Sequence, residues 1–242
     1  MRKIPALAIG TYDTARVPAG PNDASIRAMR NLVYLAKDNS QREPFAIDHP
    51  RHPSDAVVTL STPAEAYAYV AAIMIEECPR LRAHADRIAL IPVPASGTTA
   101  TTVGVGRWPA LGIARALERL NMGTVHVCAV QRVATAAVHT TTQRPDAASL
   151  RKNLEVLRMP PPRSIAVYVD DVITWGHHIA ALDNALGSPP EPRAMVVAFC
   201  DSQKFDAFDV RERTVTYDPA TPSWSLSVVD APHWLLRVAA AG

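Results

Sequence analysis

The sequence predicts an α/β fold: a parallel sheet with helices on both faces. Three observations lead there. The runs 88–93 (IALIPV), 164–169 (SIAVYV) and 194–200 (AMVVAFC) are apolar almost throughout rather than alternating, the mark of strands buried on both faces. Segments of helical spacing separate these runs, as crossover connections require. The 21 prolines fall largely at the edges of these segments and set their boundaries. A length of 242 residues suits one large domain, or one domain with an appendage. A chain of that size buries roughly 70–75% of its unfolded surface.

The elements follow in order. Residues 24–37 place Ile26, Met29, Leu32, Val33 and Leu35 largely on one side of a helix, with Arg27, Arg30 and Lys37 elsewhere. The polar, proline-bearing stretch 39–53 predicts a loop, and its Asp48, His49 and His52 fit a surface loop better than a metal site. Thr62-Pro63-Ala64-Glu65 is a capping box with proline at the first helical position, opening a helix to about Glu77. After the strand at 88–93 come a helix over 109–120 and a strand over 124–130 with β-branched residues. Residues 133–151 are polar without clear periodicity. Pro160-Pro161-Pro162 is a stiff lead into the strand at 164–169, and a helix near 178–186 precedes the strand at 194–200. Beyond Asp201, alternating segments at 214–217 and 224–229 predict an edge hairpin in which Trp224 anchors packing; Trp234 has the same expected role.

Composition excludes several function classes. Lys and Arg number 25 against 23 Asp and Glu, a net charge of +2, so direct nucleic-acid binding through a broad basic surface is not expected. Aromatics at 6% are too sparse for single-strand stacking platforms. The balance of 48% hydrophobic and 20% charged residues excludes a wholly disordered chain. Cys78, Cys128 and Cys200 lie far apart without CxxC spacing, which argues for thiols in a reducing compartment rather than disulfides or a zinc finger. Pro5 and Gly10 interrupt the N-terminal apolar run, so no signal peptide is expected. No apolar stretch reaches the ~20 residues that span a bilayer. The expected address is cytoplasmic, without a membrane partner.

The chemistry concentrates in Ile165–Ile179, IAVYVDDVITWGHHI. A buried strand leads into Asp170 and Asp171, then a short loop with Thr174 and Gly176, then a helix. Ligands of open α/β sheets bind outside the carboxyl ends of the strands. A loop entering a helix offers backbone N–H groups and the positive dipole end to an anion. Gly176 allows a turn or a close ligand approach, and Thr174 offers a hydroxyl donor. Carboxylates beside an anion cradle suit a ligand with both hydroxyls and a phosphate, such as a ribose 5-phosphate; the acids accept from the hydroxyls or help hold a hydrated Mg²⁺. The competing reading is a solvated Asp-Asp turn, which leaves the Thr-x-Gly spacing without a purpose.

This segment resembles the phosphoribosyl pyrophosphate (PRPP) motif of type I phosphoribosyltransferases: an apolar strand, two acids, two apolar residues, then Thr-Thr-Gly-x-Thr/Ser. Asp170, Asp171, Val172, Ile173, Thr174 and Gly176 match it, whereas Trp175, His177 and His178 do not. The resemblance implies that the acids contact the ribose hydroxyls and that the 174–178 loop holds the 5-phosphate. It extends to the ComF-type branch through Ile91-Pro92-Val93-Pro94, whose following loop (Ala95, Ser96, Gly97) meets pyrophosphate in the family. The 106–117 stretch fits that branch's next helix. Arg132, Gln143, Arg151 and Asn153 are similar to its pattern across a closing loop, and Ile9-Gly10-Thr11-Tyr12 is weakly similar to its lead-in.

The implied architecture is a type I phosphoribosyltransferase-like core over 61–200, an N-terminal extension or hood-like segment over 1–60, and a C-terminal β tail over 201–242. The implied chemistry is Mg²⁺-dependent transfer of a phosphoribosyl group from PRPP to a nitrogenous base, with Arg144 and Arg151 stabilising the departing pyrophosphate. No side chain is assigned as a direct metal ligand. A non-catalytic PRPP- or nucleotide-binding protein in regulation, or in ComF-like DNA uptake or processing, is the alternative. Many members of the family pair as homodimers, and the sequence leaves that assembly open. Two departures stand out: the cysteine zinc module of many ComF-type proteins is missing, and Trp175 and His178 replace small hydroxyl residues. The His177-His178 pair serves either phosphate or structure, with a metal site the weakest option. Ser96-Gly97 lacks the GxSxG context of a hydrolase, and Gly104-Val105-Gly106-Arg107 is too short for a dinucleotide fingerprint.

Overall fold

The computed structural model describes residues 1–12, 24–37, 44–47, 57–105, 107–134, 146–200, 210–221 and 224–230. In chain order the elements are β1 (Arg2–Tyr12), α1 (Ala24–Ala36), β2 (Phe45–Ile47), β3 (Val58–Leu60), α2 (Pro63–Glu77) and α3 (Pro79–Arg82). There follow β4 (Ile88–Pro92), α4 (Pro109–Arg119), β5 (Thr124–Val125), β6 (Ala129–Gln131), α5 (Ala147–Asn153) and β7 (Leu154–Val156). The last group is β8 (Ile165–Ile173), α6 (His177–Ala185), β9 (Pro192–Cys200), β10 (Arg211–Asp218) and β11 (Ser225–Asp230).

Seven strands form one sheet in the order β11-β10-β1-β9-β8-β4-β5. The strands β1, β9, β8, β4 and β5 are mutually parallel, and β10 and β11 add antiparallel at one edge. This is the expected α/β arrangement with a mostly parallel sheet, and the alternating tail segments form the edge pair. Trp224 is buried there and stacks on Tyr217 at 5.6 Å.

Each face has its own apolar layer. Alternation along the strands sends Ile88, Leu90, Ile165, Val167 and Val169 toward α1, α2 and α4. Ala89, Ile91, Ala166 and Tyr168 go to the other face, toward α5 and α6. Met29, Leu32, Val33 and Leu35 of α1 are buried in the first layer, matching the apolar stripe of the sequence. The capping box at α2 is formed in both directions: Glu65 N–H donates to Thr62 Oγ1 at 3.3 Å, and Thr62 N–H donates to Glu65 Oε2 at 2.9 Å.

Four differences from the sequence expectation have physical causes. β1 is a buried strand between β9 and β10 although Pro5 and Gly10 interrupt it. Pairing with β9 starts only at Ala6, so Pro5 lies outside that ladder. Within the predicted 39–53 loop, β2 pairs with β3 as a small antiparallel unit; Asp48, His49 and His52 lie outside the described residues. The predicted strand 124–130 divides. β5 joins the main sheet, and after His126 N–H donates to Leu90 C=O the chain leaves to form β6, which pairs with β7 in a separate two-stranded sheet. Finally α5 forms inside the polar stretch, where Asp146 accepts from Ser149 N–H at 2.7 Å as its N-cap.

A buried polar cluster fastens α6 to the sheet. Asp183, fully buried, accepts from Tyr168 Oη at 2.8 Å, from Tyr217 Oη at 2.6 Å and from Arg2 Nε at 2.9 Å. Arg2 Nη2 reaches the second carboxylate oxygen at 3.1 Å and also donates to Pro189 C=O. One carboxylate thereby ties α6 to β1, β8 and β10. Burial, then the Asp183 charge, pushes the Tyr168 phenol well above its ordinary range, so it stays a donor. Cys78 and Cys128 are buried thiols, and burial raises them to about 12 and about 11 respectively, while Cys200 is half-buried. No helix among the described residues is long and apolar enough to cross a membrane.

Candidate functional site

The sheet order creates a crevice between β4 and β8. From β4 the chain crosses by way of α4 to β5 on one side, and from β8 it crosses by way of α6 to β9 on the other. α4 and α6 lie on opposite faces. Where adjacent strands lead away in opposite directions, the loops beyond their carboxyl ends part and leave room for a ligand. Two of the sequence-derived segments meet here: 95–97 after β4, and 174–178 after β8.

β8 runs further than the apolar run predicts and carries both acids within the strand. Val93 N–H donates to Val169 C=O at 2.9 Å, setting the β4 loop level with Asp170. Both carboxylates accept from the backbone just ahead: Asp171 N–H donates to Asp170 Oδ1 at 2.9 Å, and Val172 N–H to Asp171 Oδ1 at 2.9 Å. Asp171 stands toward the C-terminal end of α1. On that side Lys37 Nζ stands 3.5 Å from Asp171 Oδ2. Burial, and next the Asp171 charge, raises the Asp170 carboxyl well above its usual range. Val172 and Ile173 continue into the two apolar layers and hold the acids by packing.

Thr174 and Trp175 form the bend after β8, with Thr174 half-buried and Trp175 57% exposed. Gly176 is the N-cap of α6 at φ 77°, a left-handed conformation that L side chains rarely adopt. Gly176 supplies no side-chain cap to α6, in contrast to Thr62 at α2. His177 and His178 open the helix. Burial lowers the His178 pKa, Asp171 opposes that, and His177 reinforces it; the imidazole is therefore neutral near pH 7. His177 lies close enough to help hold the Asp146 carboxyl below its ordinary range, after the Ser149 hydrogen bonds.

The β4 loop is built of small residues. Thr98 N–H donates to Ala95 C=O at 3.0 Å, closing a turn over half-buried Ser96 and exposed Gly97. A side chain at Gly97 would meet open space. Trp108 Nε1–H donates to Val93 C=O at 2.7 Å and pins the loop from behind. Gln131 N–H donates to Thr98 C=O at 2.8 Å, joining the loop to β6.

Asn153 then clamps the base of the 134–146 segment. Its Nδ2 donates to Gln131 Oε1 and to Val133 C=O, both at 2.9 Å, and its Oδ1 accepts from Val133 N–H at 3.1 Å. Of the two arginines expected to meet pyrophosphate, Arg151 is half-buried on α5 and its Nε has no hydrogen-bond partner. Arg144, like Gln143, lies outside the described residues.

Sequence reasoning missed Lys37 as a site residue and Gln131 as the link between the two loops. Lys37 carried one signal, a cation at the C-terminal end of an amphipathic helix, but that pattern is common. Among the described residues no three His, Cys, Asp or Glu side chains converge as a metal cage. No family model matches the chain, and no curated protein matches it.

Proposed function

We propose that the protein is a type I phosphoribosyltransferase-like protein that binds PRPP with Mg²⁺ and transfers the phosphoribosyl group to a nitrogenous base. One observation carries the reading: the adjacent acids Asp170 and Asp171 stand at a topological switch point directly before a helix to which Gly176 supplies no side-chain cap. That combination offers acceptors for a vicinal diol and donors for a phosphate a few residues apart, the two halves of a ribose 5-phosphate. In this reading Asp170 and Asp171 accept from the ribose hydroxyls. The backbone of Thr174, Trp175, Gly176, His177 and His178 receives the 5-phosphate, and Thr174 adds a hydroxyl.

Ala95, Ser96 and Gly97 face the pyrophosphate from the β4 side, with Arg151 and Arg144 contributed by the adjoining segment. The bond from the ribose anomeric carbon to pyrophosphate breaks, pyrophosphate leaves with the electron pair, and an acceptor nitrogen attacks the oxocarbenium-like carbon. The residues act by positioning and by stabilising charge on the leaving group. The acids are hard oxygen donors of a kind Mg²⁺ accepts. They suit an ion held chiefly through its ligand and waters. Bound there, Mg²⁺ neutralises pyrophosphate charge.

A second reading, a non-catalytic PRPP or nucleotide sensor or a ComF-like DNA-processing factor, is favoured by the loop itself. The exposed Trp175 and the neutral, half-buried His178 stand where the family has hydroxyl donors, leaving the phosphate chiefly to backbone N–H groups.

Calorimetry with PRPP and Mg²⁺ tests the binding common to both. The wild type is expected to bind saturably, and Asp170→Asn and Asp171→Asn to weaken binding about 10- to 100-fold, the worth of a hydrogen bond to a charged group. A wild type that binds neither PRPP nor ribose 5-phosphate removes the reading. Pyrophosphate release with any of a panel of purines, pyrimidines and nicotinate identifies the enzyme; binding without release identifies the sensor.

A further inference from the structure

We infer that Lys37 is a positioning residue of the candidate site, setting Asp171 to receive the ribose diol. The inference rests on the phosphoribosyl reading above and deepens it by assigning a residue that the sequence motif does not contain. Lys37 closes the last turn of α1, its N–H donating to Val33 C=O at 3.0 Å. The buried stripe of Met29, Leu32, Val33 and Leu35 locks that helix onto the sheet, so the position of Lys37 is fixed by the core.

Three features converge on Asp171. Its Oδ1 accepts Val172 N–H at 2.9 Å, and its Oδ2 faces Lys37 Nζ at 3.5 Å. The Asp171 carboxylate is thus oriented from two sides, by the Val172 amide on one oxygen and the Lys37 cation beside the other. The negative end of the α1 dipole also approaches a strand that already carries two adjacent carboxylates. A cation there offsets both the dipole and the Asp170–Asp171 repulsion. Lys37 and Asp171 are 39% and 24% exposed, so the pair is partly screened and its effect is moderate.

The test measures two ligands on three proteins: ribose 5-phosphate with Mg²⁺, and inorganic phosphate alone, on the wild type, Lys37→Met and Lys37→Arg. The expected result is a loss of ribose 5-phosphate affinity of about 2- to 5-fold in Lys37→Met. Phosphate affinity stays unchanged, because phosphate alone uses only the 174–178 loop, and Lys37→Arg retains most of the wild-type affinity for both. Melting temperatures show that the variants fold. Unchanged ribose 5-phosphate affinity in Lys37→Met, with a wild type that binds, overturns the inference and leaves the site reading standing. An equal loss for both ligands also overturns it, since that marks general attraction of anions rather than orientation of Asp171. A wild type that binds neither PRPP nor ribose 5-phosphate removes the site reading and the inference together.

Discussion

Replacing Gly176 with alanine probes the turn that aims the acids and α6 at one ligand. Two costs add. At φ 77° the backbone sits in the left-handed region, where a side chain costs roughly 1–2 kcal/mol. The new methyl would also lie 2.6 Å from Val215 Cγ1 and 3.2 Å from Cγ2. Val215 cannot yield easily: it is fully buried, β-branched, and paired with Ile4 on β1 and Val228 on β11. Overpacking of that kind costs about 1–3 kcal/mol. Gly176→Ala is therefore expected to lose roughly 2–5 kcal/mol, a large share of a typical total stability.

Urea denaturation of four proteins separates the two costs: wild type, Gly176→Ala, Val215→Ala and the double variant. Val215→Ala alone deletes two buried methyl carbons and should cost about 1–3 kcal/mol. In the double variant the clash disappears and the backbone cost remains. The two substitutions should then be less harmful together than their sum by about 1–3 kcal/mol. A Gly176→Ala protein within about 0.5 kcal/mol of the wild type, or strictly additive losses, would refute the reasoning.

Three further outcomes are expected. Asp183→Ala removes the fully buried acceptor of two tyrosine hydroxyls and the ion-pair partner of the part-exposed Arg2, and should cost about 2–4 kcal/mol in denaturant unfolding; a loss below about 1 kcal/mol would show that the cluster does not fasten α6. Glu65 is held at about 2, against an ordinary 4.5, chiefly by hydrogen bonds from the Ser61 amide and hydroxyl and then from the Thr62 amide. Its contribution is present above pH 4.5 and lost as pH falls toward 2, so the stability gap between wild type and Glu65→Gln should narrow over that window; parallel curves would count against the cap. His178 has a pKa lowered from 6.5 mainly by burial, so the stability associated with its neutral form is present above 6.5 and lost as pH falls below it. His178→Gln should flatten that part of a melting-temperature profile, and a wild-type slope that survives the substitution would exclude His178 as its source.

Much of the candidate site's local geometry was legible because its signals are local. The acids, the apolar residues around them and the Thr-x-Gly turn fall within a dozen consecutive residues, and local turn chemistry determines how such a stretch leaves a strand. The capping box at Thr62 and Glu65 was legible for the same reason, since both partners lie within one helical turn. β1 was not. Pro5 and Gly10 break its apolar run, and its place in the sheet comes from β9 and β10, partners distant in the chain. The division of 124–130 was hidden too, because His126 and Cys128 bond to Leu90 on one side and to Leu157 and Arg158 on the other. Those choices depend on which acceptors the folded chain brings near.

By itself the sequence determined the α/β class, the strand that leads into the acids, the turn that follows them and the capping box of α2. Each rests on hydrophobic periodicity and backbone preferences that act over a few residues. Only the tertiary structure decided that both acids lie within β8, that Lys37 stands beside Asp171, and that burial keeps His178 neutral while raising Asp170. Charge and desolvation act through space, so their balance at a residue is settled by every segment that packs around it.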